Sequence, residues 1–299
     1  MSAFSNDVID TNTRYSPHFV RLPTPNSPVI VSVTSMSQNP LHISNLFDLN
    51  GKVAVVTGGS RGIGRMIATG LVENGVRTYI TSRNEQECEE TARFLSKSGH
   101  CIAIPADLST TAGVAHFVAG FSKNEEHLDI LVNNAGAVWV SSIEDFPEAG
   151  FDKVMSINIK APFFLTQALL PQLKKNATSE EPARVIMIGS IDGIRTSFMT
   201  NYSYSASKAG LHMMARHLAA HLVNSHININ SIAPGPFESK MMAAMLASEE
   251  NRKIVTDSVP MNRIGTPQDI AGAVIFLASR AGSYVTGATL AVDGGASTI

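Results

Sequence analysis

The sequence of this protein contains only two cysteines, and its formal net charge of −2 over 299 residues is close to zero. Cys88 and Cys101 match no CxxC or CxH spacing, so they predict neither a metal site nor a disulfide framework and favour a reducing, cytoplasmic location. The balanced charge gives no electrostatic basis for binding nucleic acid or an anionic lipid surface. No apolar run approaches the roughly 18 residues that span a bilayer, so we expect no membrane insertion.

The first 45 residues lack sustained hydrophobic periodicity and are rich in Ser, Thr, Pro and Asn. This composition predicts a flexible N-terminal arm over residues 1–45, with one short apolar piece at residues 29–33 that would dock on the body. A mitochondrial transit peptide is the disfavoured alternative, because Asp7 and Asp10 interrupt the segment and no amphipathic helix is evident.

From Gly51 onward, short β-branched runs alternate with helical segments. The runs are "KVAVVT", "RTYITS", "CIAIPA", "LDILVN", "ARVIMIG" and "ININSIA", and a last strand is expected at Thr289–Val292. Apolar runs without polar alternation suit strands that are buried on both faces of a parallel sheet. Repeated strand–helix units predict an α/β fold, with residues 46–299 forming a single Rossmann-type domain: a doubly wound parallel sheet of about seven strands in three α/β/α layers.

A glycine-rich turn, "TGGSRGIG" at residues 57–64, lies between the first predicted strand and the first predicted helix. Gly58 permits a tight turn, Gly62 lets the backbone approach a phosphate, and Gly64 lets the helix pack close to the sheet. The helix N-terminus then offers free N–H groups and a positive dipole end. In this strand-before, helix-after context the pattern predicts a dinucleotide site.

The end of the second predicted strand indicates which dinucleotide is bound. An acidic residue there would grip the ribose 2′-hydroxyl of NAD, but this strand ends with Ser82 and Arg83, and Arg61 lies inside the glycine-rich turn. Two guanidinium groups suit a 2′-phosphate, because arginine can bind phosphate bidentately. The prediction is NADPH (NADP) in preference to NADH, and the alternative is that both arginines are solvated surface residues.

The segment "NYSYSASKAG" contains two tyrosines shortly before a lysine. Tyr204 is four residues before Lys208 and therefore shares its helix face, whereas Tyr202 is six residues before it. A nearby ammonium favours the phenolate and would lower the tyrosine pKa from about 10 toward neutrality. Tyr204 is therefore the acid/base candidate.

These motifs together resemble the short-chain dehydrogenase/reductase family, specifically NADP-dependent ketoreductases of the β-ketoacyl-carrier-protein reductase type. The resemblance covers residues 46–299 and rests on ordered motifs: "TGGSRGIG" (57–64), "ADL" (106–108), "NNAG" (133–136), "IN" ending at Asn158, "GS" (189–190), "YSASK" (204–208), "PG" (234–235) and "VDGG" (292–295). Each motif alone is weak evidence, but their order and spacing are specific.

The resemblance implies roles for individual residues. Ser190 would hydrogen-bond the substrate carbonyl, Tyr204 would donate the proton, and Lys208 would bind the nicotinamide ribose and lower the tyrosine pKa. Asn158 would hold a water that links the lysine to solvent. The residues expected to hold the cofactor are Gly58, Ser60, Arg61, Ile63, Gly64, Ser82, Arg83, Asp107, Leu108, Asn134, Tyr204, Lys208, Phe237 and Ser239.

One departure from the family pattern concerns the serine. Ser190 precedes Tyr204 by 14 residues, one more than the commonest family spacing, so the additional residue is expected to bulge within residues 191–201. Ser197 and Ser203 are the alternatives. We favour Ser190, because a strand end gives a fixed donor whereas Ser197 lies in an irregular loop.

Residues 236–260 form the predicted substrate-side segment. Met241, Met242, Met245 and Leu246 would share one helix face, either packed on the body or acting as a substrate lid, since methionine adapts to varied apolar ligands. Trp139, Phe198 and Met199 would add apolar walls. A hydrophobic ketone of polyketide or acyl type is therefore the expected small-molecule substrate.

The remaining features bear on metals, assembly and competing functions. His217 and His221 have the spacing of a metal pair but lack a third ligand, so we expect them, with His212, on an ordinary helix surface. The resemblance implies a homodimer or homotetramer. The alternatives to a ketone reductase are an NADP-dependent alcohol dehydrogenase working oxidatively, a cyclase or dehydratase, and a cofactor-sensing binding protein.

Overall fold

The computed structural model describes residues 39–239, 242–243 and 245–298. Residues 1–38 of the predicted arm, with its apolar piece at 29–33, and Met241 of the predicted lid lie outside these ranges. Helix α1 (Ile43–Leu46) begins two residues before the end predicted for the arm. The Nδ1 atom of His42 accepts a hydrogen bond from the Ser44 N–H at 3.3 Å, which caps this short helix.

One parallel sheet forms the centre of the body, and its strands lie in the spatial order β3-β2-β1-β4-β5-β6-β7. The strands are β1 (Val53–Thr57), β2 (Arg77–Thr81), β3 (Cys101–Ala103), β4 (Ile130–Asn133), β5 (Ala183–Ile188), β6 (Ile227–Pro234) and β7 (Thr289–Val292). The order reverses between β1 and β4, so the carboxyl ends of these two strands border the crevice where α/β folds of this type bind ligands. The prediction of a doubly wound sheet of about seven strands is confirmed.

Ten helices accompany the sheet in the described part of the chain. After α1 these are α2 (Gly62–Glu73), α3 (Glu85–Leu95), α4 (Thr111–Ser122), α5 (Glu148–Met155), α6 (Ala161–Ala168), α7 (Leu170–Lys175), α8 (Tyr202–Leu222), α9 (Glu249–Asp257) and α10 (Pro267–Ala278). A π-helical turn, Ser156–Lys160, joins α5 to α6. In this described part, no helix combines the length and the apolar character that a membrane crossing requires.

Strands β1, β4, β5 and β6 are buried along their whole length because both faces of the sheet are covered. In β1, Ala54 and Val56 belong to one hydrophobic core and Val53 and Val55 to the other. Helices α2, α3 and α10 contribute to the first core, while α4, α6, α7 and α8 contribute to the second. The three-layer α/β/α arrangement therefore follows from side chains that alternate across a doubly buried sheet.

The segment 236–260 differs from the prediction made for it. The described residues 242–243 and 245–248 form turns and a bend, and the helix of this segment, α9, begins only at Glu249. The Ser248 hydroxyl accepts a hydrogen bond from the Asn251 N–H at 3.1 Å, and Glu249 and Glu250 occupy the first turn. This capping pattern sets the start of the helix after the methionine-rich stretch, so a helix face made of Met242, Met245 and Leu246 is not formed.

Candidate active site

A cavity of about 1200 Å³ lies at the carboxyl ends of the strands. The residues predicted to hold a cofactor line it, with one exception: Gly58, Ser60, Arg61, Ile63, Gly64, Ser82, Arg83, Asp107, Leu108, Asn134, Tyr204, Lys208 and Ser239. The exception is Phe237, whose side chain packs in the hydrophobic core against Gly265. The expected contact of Phe237 with a cofactor is therefore restricted to its backbone.

The glycine-rich turn joins β1 to α2, and its first and last glycines are closely packed against each other. A Cβ atom added to Gly64 would lie 2.2 Å from the Gly58 carbonyl oxygen, so only glycine allows the first turn of α2 to pack on the loop. No side chain caps the N-terminus of α2. Its first N–H groups thus remain available to an anion, and a dinucleotide pyrophosphate fits this cradle.

A buried threonine that the sequence analysis did not single out holds this loop to the neighbouring strand. The Thr57 hydroxyl accepts hydrogen bonds from the N–H groups of Asn134 and Ala135, each at 2.9 Å. The Asn134 side chain donates in return to the Thr57 carbonyl oxygen at 2.8 Å. Asn134 therefore braces the ends of β1 and β4 while it lines the cavity; Thr57 could have been noticed as the first residue of the "TGGSRGIG" motif.

Arg61 and Arg83 both line the cavity, and Arg61 already has an ion-pair partner. Arg61 forms an ion pair with Glu87 on α3, with 3.3 Å between Nη1 and Oε2. Arg83 and Ser82 line the same end of the cavity directly after β2. A 2′-phosphate fits this charge distribution better than a bare ribose does, because two guanidinium groups outweigh one carboxylate. Glu87 was not predicted from the sequence.

Two further loops complete this end of the cavity. The Oδ1 atom of Asp107 accepts hydrogen bonds from the N–H and the hydroxyl of Ser109, at 3.0 Å and 2.7 Å. A Cβ atom added to Gly62 would lie 3.3 Å from the Cβ atom of Ser239, so the loop after β6 lies against the phosphate loop. Residues distant in sequence therefore enclose the site of the pyrophosphate.

At the other end, Tyr204 lies in the first turn of α8, and the Ser190 side chain lies close enough to lower the pKa of its phenol. The two alternative serines do not make this contact: the Ser197 hydroxyl accepts from the Met199 N–H, and the Ser203 hydroxyl is buried with no partner among the described residues. The geometry thus supports Ser190 over Ser197 and Ser203.

The loop between Ser190 and α8 is tied to the helix it precedes. It contains one 3₁₀ turn, Ile191–Gly193. This turn lies within residues 191–201, the stretch expected to contain one residue more than the commonest family spacing. The buried Asn201 side chain donates to the Asp192 carboxylate at 2.9 Å. Neither Asn201 nor Asp192 was predicted, because only the folded loop brings them together.

Lys208 lies near Tyr204 as predicted, but the expected effect on the tyrosine is wrong for this structure. The Lys208 ammonium donates to the Ile188 carbonyl oxygen at 2.7 Å and lies 5.5 Å from the centroid of the Tyr204 ring. Burial raises the pKa of Tyr204 to about 12, although the nearby Ser190 side chain acts in the opposite direction. Burial also lowers the pKa of Lys208 to about 8. Loss of solvation is the largest cause of both shifts.

Asn158 is fully buried in the π-helical turn behind the cavity wall. Its amide exchanges two hydrogen bonds with the backbone of Ala137, at 2.9 Å and 3.0 Å, and donates to the Ser207 hydroxyl at 2.9 Å. A Cβ atom added to Gly136 would lie 3.2 Å from Asn158 Oδ1 and 3.7 Å from Lys208 Nζ. The π-helical turn therefore brings Asn158 to the same wall as the lysine.

The histidines of α8 do not form one group, which corrects the expectation that all three are surface residues. His217 and His221 are exposed, with 4.9 Å between ring centroids. His212 is buried, and its Nε2 atom lies 3.0 Å from the Ser190 carbonyl oxygen. In the described ranges, no group of three or more His, Cys, Asp or Glu side chains is arranged to hold a metal.

A dinucleotide cradle next to a buried serine–tyrosine–lysine group, on a doubly wound sheet, defines the class of nucleotide-dependent oxidoreductases. A family model described as enoyl-(acyl carrier protein) reductase matches residues 58–297. The chain belongs to the short-chain dehydrogenase/reductase family and is an NADP-dependent oxidoreductase that acts on CH–OH or C=O groups.

Several known proteins are similar to this chain over most of its length and most of their own. A rhamnolipids biosynthesis 3-oxoacyl-[acyl-carrier-protein] reductase of Pseudomonas aeruginosa is 46% identical over 83% of this chain and 97% of that protein. The solved RhlG/NADP active-site complex of Pseudomonas aeruginosa has a TM-score of 0.83 at 46% identity, covering 84% of this chain and 98% of that one. A 2-dehydro-3-deoxy-D-gluconate 5-dehydrogenase of Dickeya dadantii is 37% identical over 85% of this chain and 98% of that protein.

Proposed function

We propose that this enzyme uses NADPH to reduce a hydrophobic ketone, of 3-oxoacyl or polyketide type, to a secondary alcohol. The observation that carries the proposal is a cavity that Tyr204 and Lys208 line together with the glycine-rich turn, with the Ser190 side chain close to the Tyr204 phenol. The similarity to a 3-oxoacyl-[acyl-carrier-protein] reductase supports the same substrate class.

The cofactor end of the cavity would be held by this chain's own groups. The N-terminus of α2 would bind the pyrophosphate, and Arg61 and Arg83 would bind the 2′-phosphate. To reach that phosphate, Arg61 would exchange its present partner Glu87. When bound, the reduced nicotinamide supplies a hydride to the carbonyl carbon.

Tyr204 and Ser190 would act on the carbonyl oxygen. Both hydroxyls can donate hydrogen bonds to the negative charge that grows there, and Tyr204 would deliver the proton. With its pKa raised by burial to about 12, the Tyr204 phenol carries its proton at neutral pH. Lys208 and Asn158 lie against the same wall, at Gly136, and would bind the ribose and return a proton from solvent.

Two loops that we assign to the substrate end of the cavity carry exposed apolar side chains. The loop at residues 139–146 and the loop at residues 191–202 are joined by a hydrogen bond from the Ser141 N–H to the Thr200 carbonyl oxygen, at 3.1 Å. Exposed apolar side chains on these two loops are Val140, Ile143, Ile194 and Phe198, and Tyr202 is exposed at the start of α8. Such side chains favour a substrate with an extended hydrocarbon part over a small polar one.

A substrate panel tests the proposal. Purified enzyme is mixed with NADPH and acetoacetyl, medium-chain and long-chain 3-oxoacyl thioesters, aromatic polyketide ketones, or a steroid, and loss of NADPH absorbance is recorded. We expect oxidation of one NADPH per alcohol formed, fastest with the hydrophobic ketones. No turnover with any ketone, despite NADPH binding, contradicts the proposal.

A second candidate is oxidation of a sugar acid, because a relative 37% identical is named 2-dehydro-3-deoxy-D-gluconate 5-dehydrogenase. The same panel therefore includes gluconate with NADP and 2-dehydro-3-deoxygluconate with either form of the cofactor. Faster turnover of these substrates than of any 3-oxoacyl thioester would favour the second candidate over the first.

We also propose a homodimer or homotetramer in solution. Helix α5, helix α6 and helix α8 expose Phe151, Phe164 and Met213, which would be covered by a second copy of the chain. Light scattering at micromolar concentration tests this, and a monomer there would contradict it.

A further inference from the structure

His212 is the third member of a row on the buried face of α8. Tyr204, Lys208 and His212 follow one another at intervals of four residues and are all buried, with His212 only 8% exposed. Residues at this spacing lie above one another on a helix, so the histidine is placed one turn beyond the lysine. Its burial calls for a partner, because an unpaired imidazole in a core is costly.

The partner is the backbone of the serine at the active site. The Nε2 atom of His212 lies 3.0 Å from the Ser190 carbonyl oxygen. A carbonyl oxygen can only accept, so Nε2 carries the proton and donates it. The Nδ1 atom is buried and has no hydrogen-bond partner within the described ranges. Burial lowers the pKa of His212, although the bond to Ser190 acts in the opposite direction, so the ring is neutral with Nδ1 unprotonated.

Two glycines make room for the ring. A Cβ atom added to Gly189 would lie 2.0 Å from the His212 Cε1 atom, and one added to Gly193 would lie 2.9 Å from the Cδ2 atom. Any other residue at Gly189 would displace the imidazole. The ring therefore explains the glycine of the "GS" pair, whereas Gly193 also lies against the backbone of α8, with a Cβ atom there 2.6 Å from the Ala209 nitrogen.

Helix α8 thus holds the end of β5 at two points. Lys208 donates to the Ile188 carbonyl oxygen at 2.7 Å, and His212 donates to the Ser190 carbonyl oxygen two residues later. Ser190 has an extended backbone, and its hydroxyl accepts from the Asp192 N–H at 3.1 Å. Fixing this carbonyl constrains the Ser190 backbone and with it the direction of the Cα–Cβ bond that carries the hydroxyl.

We propose that His212 is a positioning residue: its Nε2–H holds the Ser190 carbonyl group and so keeps the Ser190 hydroxyl directed at Tyr204 and at the substrate oxygen. The inference rests on the proposed ketone reduction for its kinetic consequence, but its structural content is independent of the substrate. A displacement of about 1 Å at such a donor is enough to slow a reaction about 100-fold.

Three variants test the proposal. His212→Leu keeps the volume of the ring without the donor, and His212→Gln restores an N–H near the position of Nε2. His217→Leu, on the exposed side of the same helix, is the matched control. For His212→Leu we expect kcat to fall about 10- to 100-fold, with the NADPH Kd and the melting temperature close to those of the wild type. His212→Gln should recover most of the loss, and His217→Leu should be unaffected.

A double-mutant cycle separates positioning from a general structural role. If His212 acts through Ser190, then His212→Leu should have no further effect on kcat in a Ser190→Ala background. Full additivity of the two losses, near-normal kcat in His212→Leu, or equal losses in His212→Leu and His212→Gln would each overturn the proposal.

A crystal structure of His212→Leu distinguishes this inference from the proposed function. We expect the Ser190 hydroxyl to have left the Tyr204 hydroxyl in this variant. If the wild type reduces no ketone but the serine has moved, the proposed function fails and the positioning role stands. A Ser190 side chain that stays against Tyr204 overturns the positioning role, whatever the enzyme reduces.

Discussion

At the cofactor end of the crevice, the side chains and N–H groups that face the cavity come from strand ends and from the first turns of helices α2 and α3. Hydrogen bonds of 2.9 Å and 2.8 Å join Thr57 to Asn134, and the Gly58 carbonyl oxygen leaves no space for a Cβ atom at Gly64. At the substrate end, the loops at residues 139–146 and 191–202 are joined by one backbone hydrogen bond, and Phe198 is 73% exposed. The cofactor end is therefore held by contacts between strand ends and helix starts, whereas the substrate end consists of loops at the surface.

The difference has a physical origin. A cofactor of fixed shape is bound by backbone groups, and their positions follow from the packing of the sheet. A substrate that varies between enzymes of one family is bound by loops, because loops tolerate change without loss of the core. Ser190 and Tyr204 lie where the two regions meet, and α8 belongs to both.

Tyr204→Phe should have the largest effect, since it removes the group shared by both ends. Loss of the proton donor should lower kcat by about 10²- to 10⁴-fold while NADPH binding, followed by fluorescence titration, stays measurable. Tyr202→Phe, two residues earlier in the same helix turn, is the matched control and should be near normal. A Tyr204→Phe enzyme with unchanged turnover would overturn the acid assignment.

Replacing both arginines of the cofactor end should have the next largest effect. In Arg61→Ala/Arg83→Ala, loss of charge-assisted bonds to the 2′-phosphate should weaken NADPH binding about 10- to 100-fold and leave NADH binding little changed. Titration with both cofactors measures this, and Arg93→Ala on α3 is the control. Equal weakening of NADPH and NADH would show that the arginines do not select the phosphate.

Buried Lys208 should make the stability of the folded protein depend on pH. Burial lowers the folded-state pKa of Lys208 from 10.5 to about 8, so between these pH values the unfolded chain binds more protons and stability rises with pH. Denaturant unfolding of wild type and Lys208→Met from pH 7 to pH 10 should show their stability difference moving in favour of the wild type. The exposed Lys175→Met should show no such trend, and a flat difference for Lys208→Met would contradict the shift.

Phe198→Ser should have the smallest effect, because a loop side chain contributes only contact area. Removing an aromatic surface worth about 1–2 kcal/mol should raise KM for a long-chain 3-oxoacyl thioester several-fold, and KM for the acetoacetyl thioester much less. Phe94→Ser, an exposed phenylalanine on α3, is the control. Equal changes for short and long substrates would mean that Phe198 does not contact the hydrocarbon part.

The sequence was most informative where spacing is local. The strand and helix order, the glycine turn and the four-residue interval between Tyr204 and Lys208 are visible along the chain, because period and turn chemistry do not depend on distant partners. Within the predicted helix at residues 241–246, the described residues 242–243 and 245–246 form turns, and the cap at Ser248 begins α9 only after them. The surface assignment of His212 was wrong because helix spacing alone does not say which face is covered.

By itself, the sequence of this protein determined the α/β class, the family and the residue types at the crevice, since these depend on periodicity and on ordered motifs. Only the tertiary structure decided that burial raises the pKa of Tyr204, that the Ser190 side chain lies near its phenol, and that His212 contacts the Ser190 carbonyl oxygen. The reason is that desolvation and hydrogen-bond partners depend on which distant segments pack together, and spacing along the chain carries no record of either.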